Sequence, residues 1–209
     1  MTDSTRAAGV HFYRPEEGHR LAHDPFKAIV APRMIGWISS RDAEGRFNLA
    51  PYSFFGAFAG NPPVIGFSSE GYKDTVRNVE ATGEFVWNMA SLSLAEKMNA
   101  TSATVPSDVD EFTLAGLTPV AGHSVNVPHV AESPAALECK VMQVIRLTNI
   151  DGEAMSNWLV LGQVVGVHIR DEFLKDGLFD TFLAQPIMRA GYRAEYAQTG
   201  DKFEMIRPR

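Results

Sequence analysis

Short runs of β-branched and aromatic residues, each closed by a turn signal, constrain this chain more than any other feature. Met34-Ile35-Gly36-Trp37-Ile38-Ser39-Ser40 runs into a polar turn from Arg41 to Arg46, and Phe47 to Ser53 reads as the returning strand of a hairpin. Pro62-Pro63 launches Val64 to Ser69, and further strands are expected over Glu84–Met89, Ala136–Thr148 and Asn157–Ile169. Before Pro32, Ala28-Ile29-Val30-Ala31 also reads as extended. Leu137, Cys139, Val141 and Ile145 alternate with Glu138, Lys140, Gln143 and Arg146, the period-two pattern of a half-buried strand. Cys139 therefore belongs on the apolar face as a small buried hydrophobe, and Glu138 on the polar one.

Helical signals are fewer. Asp74 can cap a helix over Thr75–Thr82 that Gly83 ends, and Ser93-Leu94-Ala95-Glu96 has the capping-box spacing for a second helix through Ala100. A third is expected over Asp171–Ala184. Six or more strands with minor helices predict a mainly β barrel rather than a doubly wound sheet. A chain of 209 residues suits one domain over 26–209 with an N-terminal extension over 1–25. Ser102–Asp110 and Thr118–Pro134 read as long loops, suited to a lid or specificity role as much as to a surface excursion.

Several chemistries lose ground at once. A net charge of −6 with no basic run argues against nucleic acid as a partner. One cysteine permits no internal disulfide, the start Met1–Gly9 lacks a signal-peptide core, and Trp158–Ile169 is too short to span a bilayer. These point to a cytoplasmic protein without membrane contact. Neither GxGxxG after a strand nor GxxxxGK[ST] occurs, and without HExxH or a cysteine pair no metal site is expected.

One junction favours an anion. Phe67-Ser68-Ser69-Glu70-Gly71-Tyr72-Lys73-Asp74-Thr75 leads from a strand end into a helix start, where free N–H groups and the helix dipole attract negative charge. Ser68, Ser69, Lys73 and Thr75 add donors for a terminal phosphate. On the hairpin, Pro51 marks an edge or bulge, and the small residues Ala50 and Ser53 would let a flat ring approach the backbone. Trp37, Ile38 and Ser39 could wall such a ring. The plain alternatives are an ordinary turn and an unliganded barrel edge.

Taken in order, Pro32–Ser40, Asn48–Phe55, Asn61-Pro62-Pro63, Phe67–Ser69, Lys73-Asp74-Thr75 and Thr82–Asn88 resemble the flavin reductase-like family of FMN-binding split barrels. The resemblance is specific over Phe26–Asn88 and weaker to about Tyr196. It implies a six-stranded Greek-key split β-barrel with a few short helices, forming a homodimer with FMN near the subunit interface. By position, Ser68, Ser69, Lys73, Asp74 and Thr75 fall at the phosphate, while Trp37, Ile38, Ser39, Ala50, Pro51, Tyr52 and Ser53 line the ring and ribityl chain. Arg33 lies near the same pocket. Two departures stand out: Met34 replaces the family's proline after that arginine, and Tyr192 occupies a position often held by glycine.

Flavin chemistry needs no protein acid or base, because a nicotinamide delivers hydride to flavin N5 and the protein aligns the rings. The leading expectation is reduction of FMN by NADH or NADPH, with reduced flavin passed to a partner oxygenase or small acceptor. A second reading is an electron carrier or storage module without a nicotinamide site. A third is a hydrolase pairing Ser68 or Ser69 with His123 or His129, although Glu70 spoils the GxSxG pattern. His168 at a strand end reads as a structural histidine ahead of a proton donor. Phe54, Phe55 and Phe58 suit a dimer face or core packing equally.

Overall fold

The computed structural model describes residues 9–208. The first eight residues of the expected extension, and with them most of Met1–Gly9, lie outside that range. The strands in chain order are β1 (Arg33–Met34), β2 (Gly36–Arg41), β3 (Phe47–Tyr52), β4 (Phe55–Gly60), β5 (Pro63–Glu70), β6 (Glu84–Asn88), β7 (Pro119–Val120) and β8 (His129–Val130). They continue with β9 (Ala135–Thr148), β10 (Ala154–Ile169), β11 (Leu174–Lys175), β12 (Leu178–Phe179), β13 (Ile187–Arg189) and β14 (Tyr196–Gln198). Five short helices intervene: α1 (Phe26–Ile29), α2 (Asp74–Thr82), α3 (Ala95–Ala100), α4 (Glu111–Leu114) and α5 (Thr181–Ala184).

The main sheet is antiparallel with order β3-β2-β6-β9-β10-β5-β4, leaving β3 and β4 as its two edges. It curls without closing. The Ser68 N–H donates to Phe54 O (2.8 Å), and the Tyr52 ring meets Phe67 with centroids 4.8 Å apart, so the β3 end returns over β5. The result is a mainly β split barrel of seven strands, one more than expected, because β4 follows β3 after only two residues.

Local chemistry explains the elements. Asp42 accepts the Arg46 N–H (2.8 Å), and Gly45 takes φ +89°, which shapes the β2–β3 turn. The strongly coiled β9–β10 hairpin shifts register between Leu161 and Gly162 and between Val164 and Gly166. Gly162 is required there, since a Cβ would stand 2.4 Å from Phe85 Cε1. Inside the curl, Ile38, Phe67, Phe85, Trp87, Cys139 and Val160 form one core, and Ile35, Trp37, Leu49, Leu94, Met98 and Phe112 form a second beneath α3 and α4. Cys139 is buried as expected, its thiol pushed up by burial.

Four expectations need correction. The stretch before Pro32 is not extended: Asp24 takes the Phe26 N–H (2.9 Å), and α1 follows with Ala28 and Ile29 N–H on Pro25 O (both 2.9 Å). Asp74 is not the cap of α2; Lys73 holds that position, and Asp74 sits in the first turn paired with Arg77 (2.6 Å). Gly83 does end α2, at φ +72°. The Ser93 box does not form, because Ser93 Oγ pairs with Ser91 Oγ (3.0 Å) and α3 begins after Leu94. Asp171–Ala184 is not one helix. Asp176 and Gly177 both adopt positive φ (+52° and +78°), a hairpin turn joining β11 to β12, and Asp180 then caps α5 through the Phe182 and Leu183 N–H groups (both 3.0 Å).

Candidate functional site

The helix start and the edge hairpin meet around one cavity of about 290 Å³, bordered by Asn48, Ala50, Pro51, Tyr52, Lys73, Asp74 and Thr75. Its remaining wall comes from Thr101–Val105 and Glu111, so the loop marked out in the sequence closes over this cavity. Pro51 lies on edge strand β3, opposite Trp37, where its missing N–H costs the sheet nothing.

The donors are arranged by buried partners. Asn48 Nδ2 donates to Thr75 Oγ1 (2.8 Å) and to Ser40 Oγ (3.2 Å), which fixes the Thr75 side chain and leaves its hydroxyl proton to point elsewhere. The first intrahelical bond of α2 is Arg77 N–H to Lys73 O (3.0 Å), so the N–H groups ahead of it face outward at the positive end of the helix. Lys73 enters no ion pair among the described residues. Two carboxylates border the same space. Asp74 is neutralised by Arg77, and Glu111 accepts the Leu49 N–H (3.0 Å) while burial raises its carboxyl above the usual range. Burial likewise raises the Tyr52 phenol, with Thr75 and Ser69 pulling the other way, so that Tyr52 stays a neutral donor at physiological pH.

The other expected residues are placed differently. Trp37, Ile38 and Ser39 are fully buried. Trp37 Nε1 donates to Thr101 Oγ1 (3.0 Å), and Ser39 Oγ donates to Pro128 O (2.6 Å), so these side chains support the hairpin from within. Ser69 is buried and donates to Gly71 O (2.9 Å), shaping the turn into α2. Ser68, Ser53 and Arg33 line a second, apolar cavity of about 540 Å³ with Phe26, Met34, Phe55 and Phe58. Asn48, Thr101 and Glu111 are cavity residues that the sequence reading does not single out. Asn48 stood inside the quoted motif, but Glu111 carries no local signal.

The serine–histidine pairing does not exist. Ser69 lies opposite Trp158 on β10, whereas His123 and His129 stack on His168 with centroids 5.4 and 4.2 Å away. From Trp158 to His168 is roughly 33 Å of strand at ~3.3 Å per residue. His168 bonds Glu138 Oε1, a partner that suits the structural reading. Glu138 overturns the alternation rule, for it is fully buried although its strand neighbours assign it to the polar face. Gly122 lets the chain pass over it, and the N–H groups of His123 (2.7 Å), Ser124 (2.5 Å) and Val125 (3.1 Å) converge on its carboxylate. Burial alone would raise this carboxyl, but the His123 N–H, His168 and the Ser124 N–H outweigh it and hold it at about 2. Among the described residues no cluster suited to a metal ion occurs, and no helix is long and apolar enough to cross a membrane.

The model for the flavin reductase like domain matches residues 30–183. An uncharacterized protein of Deinococcus radiodurans is 36% identical over 192 residues, covering 86% of this chain and 82% of its own. The structure of nitrilotriacetate monooxygenase component B from Bacillus cereus aligns with a TM-score of 0.82 at 29% identity, over 98% of this chain and 100% of that one. The 2-nitrobenzoate 2-nitroreductase of Pseudomonas fluorescens follows at 0.77 and 27%, over 88% of each. The fold, the ordered motifs and the family match agree: this chain belongs to the flavin reductase like domain family, and its chemistry is flavin-linked redox.

Proposed function

We propose that the chain binds FMN and that NADH or NADPH reduces it there. The observation that carries this reading is the convergence of the α2 N-terminus, Lys73 and Thr75 on the cavity edged by Ala50, Pro51 and Tyr52. The donor set fits the cofactor. Lys73 and the first-turn N–H groups suit a phosphate, and both nearby carboxylates are already engaged, by Arg77 and by the Leu49 N–H.

Bound FMN supplies an N5 that accepts hydride from a nicotinamide. The chain's residues bind and orient. Lys73 and Thr75 anchor the phosphate, Ala50 and Pro51 admit the ring against the backbone, and Tyr52 presents a neutral hydroxyl. The Ser102–Val105 loop, with α4 behind it, keeps water from the reacting face. Arg33, Ser53 and Ser68 belong to the neighbouring cavities on this reading, and Trp37, Ile38 and Ser39 position the hairpin.

Two partners follow. The exposed apolar edge β4, with Phe58 58% exposed, is the surface a second copy would cover in a homodimer. The Bacillus cereus neighbour is one component of a monooxygenase, which supports transfer of reduced flavin to a partner oxygenase. The test is identification of the chromophore released from purified protein, followed by anaerobic mixing with each nicotinamide. FMN that bleaches with NADH or NADPH is expected. A protein that stays colourless after soaking in FMN contradicts the reading, and one bleached only by dithionite is a carrier instead.

A further inference from the structure

A third cavity, of about 660 Å³, lies between the N-terminal segment and the β13–β14 hairpin, bordered by His23, Asp24, Lys27, Arg33, Ser53, Arg189, Tyr192 and Arg193. Its charge is unbalanced. Lys27, Arg33, Arg189 and Arg193 make no ion pair among the described residues, and Asp24 is the one acid on its wall, with an oxygen held by the Phe26 N–H (2.9 Å).

Two of these cations are forced together by the fold. Arg33 and Arg189 are direct cross-strand partners in the β1–β13 pairing, where like charges destabilise a sheet. Arg33 is half-buried, its Nε lacks a partner, and its other nitrogens reach only the carbonyls of Lys27 and Ala190. Burial, and then the charge of Arg189, lowers its affinity for its proton. An arrangement that gathers four cations against the single carboxylate of Asp24 and half-buries one of them suits an anion brought from outside.

The neighbouring apolar cavity fixes what that anion is attached to. Both cavities share Arg33 and Ser53, so an apolar chamber with Phe54 and Phe58 opens beside the cationic one. A ligand with a flat ring at one end and a multiply charged group next to it matches the pair. We infer that Arg33, Arg189 and Arg193 grip the diphosphate of the nicotinamide dinucleotide that reduces the flavin. This rests on the proposed reductase reading and adds the place where the electron donor is recognised, apart from Lys73 and Thr75.

The experiment uses the full-length flavin-loaded protein. In an Arg189→Ala, Arg193→Ala variant the KM for the productive nicotinamide should rise about ten- to a hundredfold, the scale of lost charge-assisted hydrogen bonds, while the FMN dissociation constant stays within about twofold. Inorganic pyrophosphate should compete with the nicotinamide in the parent and not in the variant. An Arg189→Lys, Arg193→Lys variant, which keeps the charge if the alanine pair unfolds, should recover part of the affinity. An unchanged KM overturns the inference, as does a variant that loses FMN while keeping its nicotinamide KM. If neither nicotinamide bleaches the parent, the reductase reading fails first, and pyrophosphate binding measured by calorimetry then reports on the cationic cavity alone.

Discussion

The start of α2 and the far end of β10 both gather polar side chains, but they leave them in opposite states. At β10, Glu138 is closed on itself: three backbone N–H groups and His168 surround its carboxylate, and His123 and His129 stack on that ring. At α2, Asn48 orders Thr75 without consuming its proton, and Lys73 borders a cavity with no partner ion. The first cluster ties the Thr118–Pro134 loop to the barrel. The second is a set of donors lacking an acceptor, which is what binding requires. Residue type does not separate them; whether each hydrogen-bonding group is satisfied does.

Breaking the closed cluster should have the larger effect on stability. Glu138→Ala strands three N–H groups and His168, and is expected to cost about 3–5 kcal/mol in denaturant unfolding with FMN affinity unchanged in the folded fraction. A loss of flavin binding without a loss of stability would erase the distinction between the two clusters. The same carboxylate sets an acid limit. Its folded value of about 2 lies below the ordinary 4.5, so its stabilisation is complete above pH 4.5 and is lost as pH falls toward 2. A parent melting temperature that is flat over that window, or a Glu138→Gln variant that keeps the same slope, would contradict the assignment. His168→Gln should be milder, about 1–2 kcal/mol, with kcat for flavin reduction unaltered; a collapse of kcat would make His168 a participant in the reaction.

The open cluster can be sharpened by removing an opposing charge. Glu111→Gln keeps an acceptor for the Leu49 N–H and deletes a carboxylate from the cavity wall, so FMN should bind about two- to fivefold more tightly in a fluorescence titration. Weaker binding would place the phosphate elsewhere.

Legibility from sequence followed the range of the interactions. The Arg41–Arg46 turn, the β3 edge at Pro51 and the Lys73–Thr75 helix start depend on residues a few positions apart; the first two stand where expected, and the helix begins one residue early, at Asp74 with Lys73 as its cap. Asp176-Gly177 is local too: the pair is a hairpin signal, and its two positive φ angles break the helix expected over Asp171–Ala184. Glu138 was beyond reach, because its burial depends on a loop 13–15 residues upstream folding back to supply N–H groups. So was the cationic cavity, whose walls come from segments joined by a contact spanning 157 residues, Arg33 to Ala190. Pairings of that range leave no periodic trace.

The proposed FMN site depends on a phosphate being held at Lys73 and Thr75. The direct measurement compares FMN with riboflavin, which lacks only that phosphate, by fluorescence titration of the parent and of Lys73→Ala, Thr75→Ala. The parent should favour FMN by about a hundredfold or more, and the double variant should reduce that preference to within about tenfold while riboflavin affinity barely moves. Equal affinities in the parent, or an undiminished preference in the variant, would contradict it.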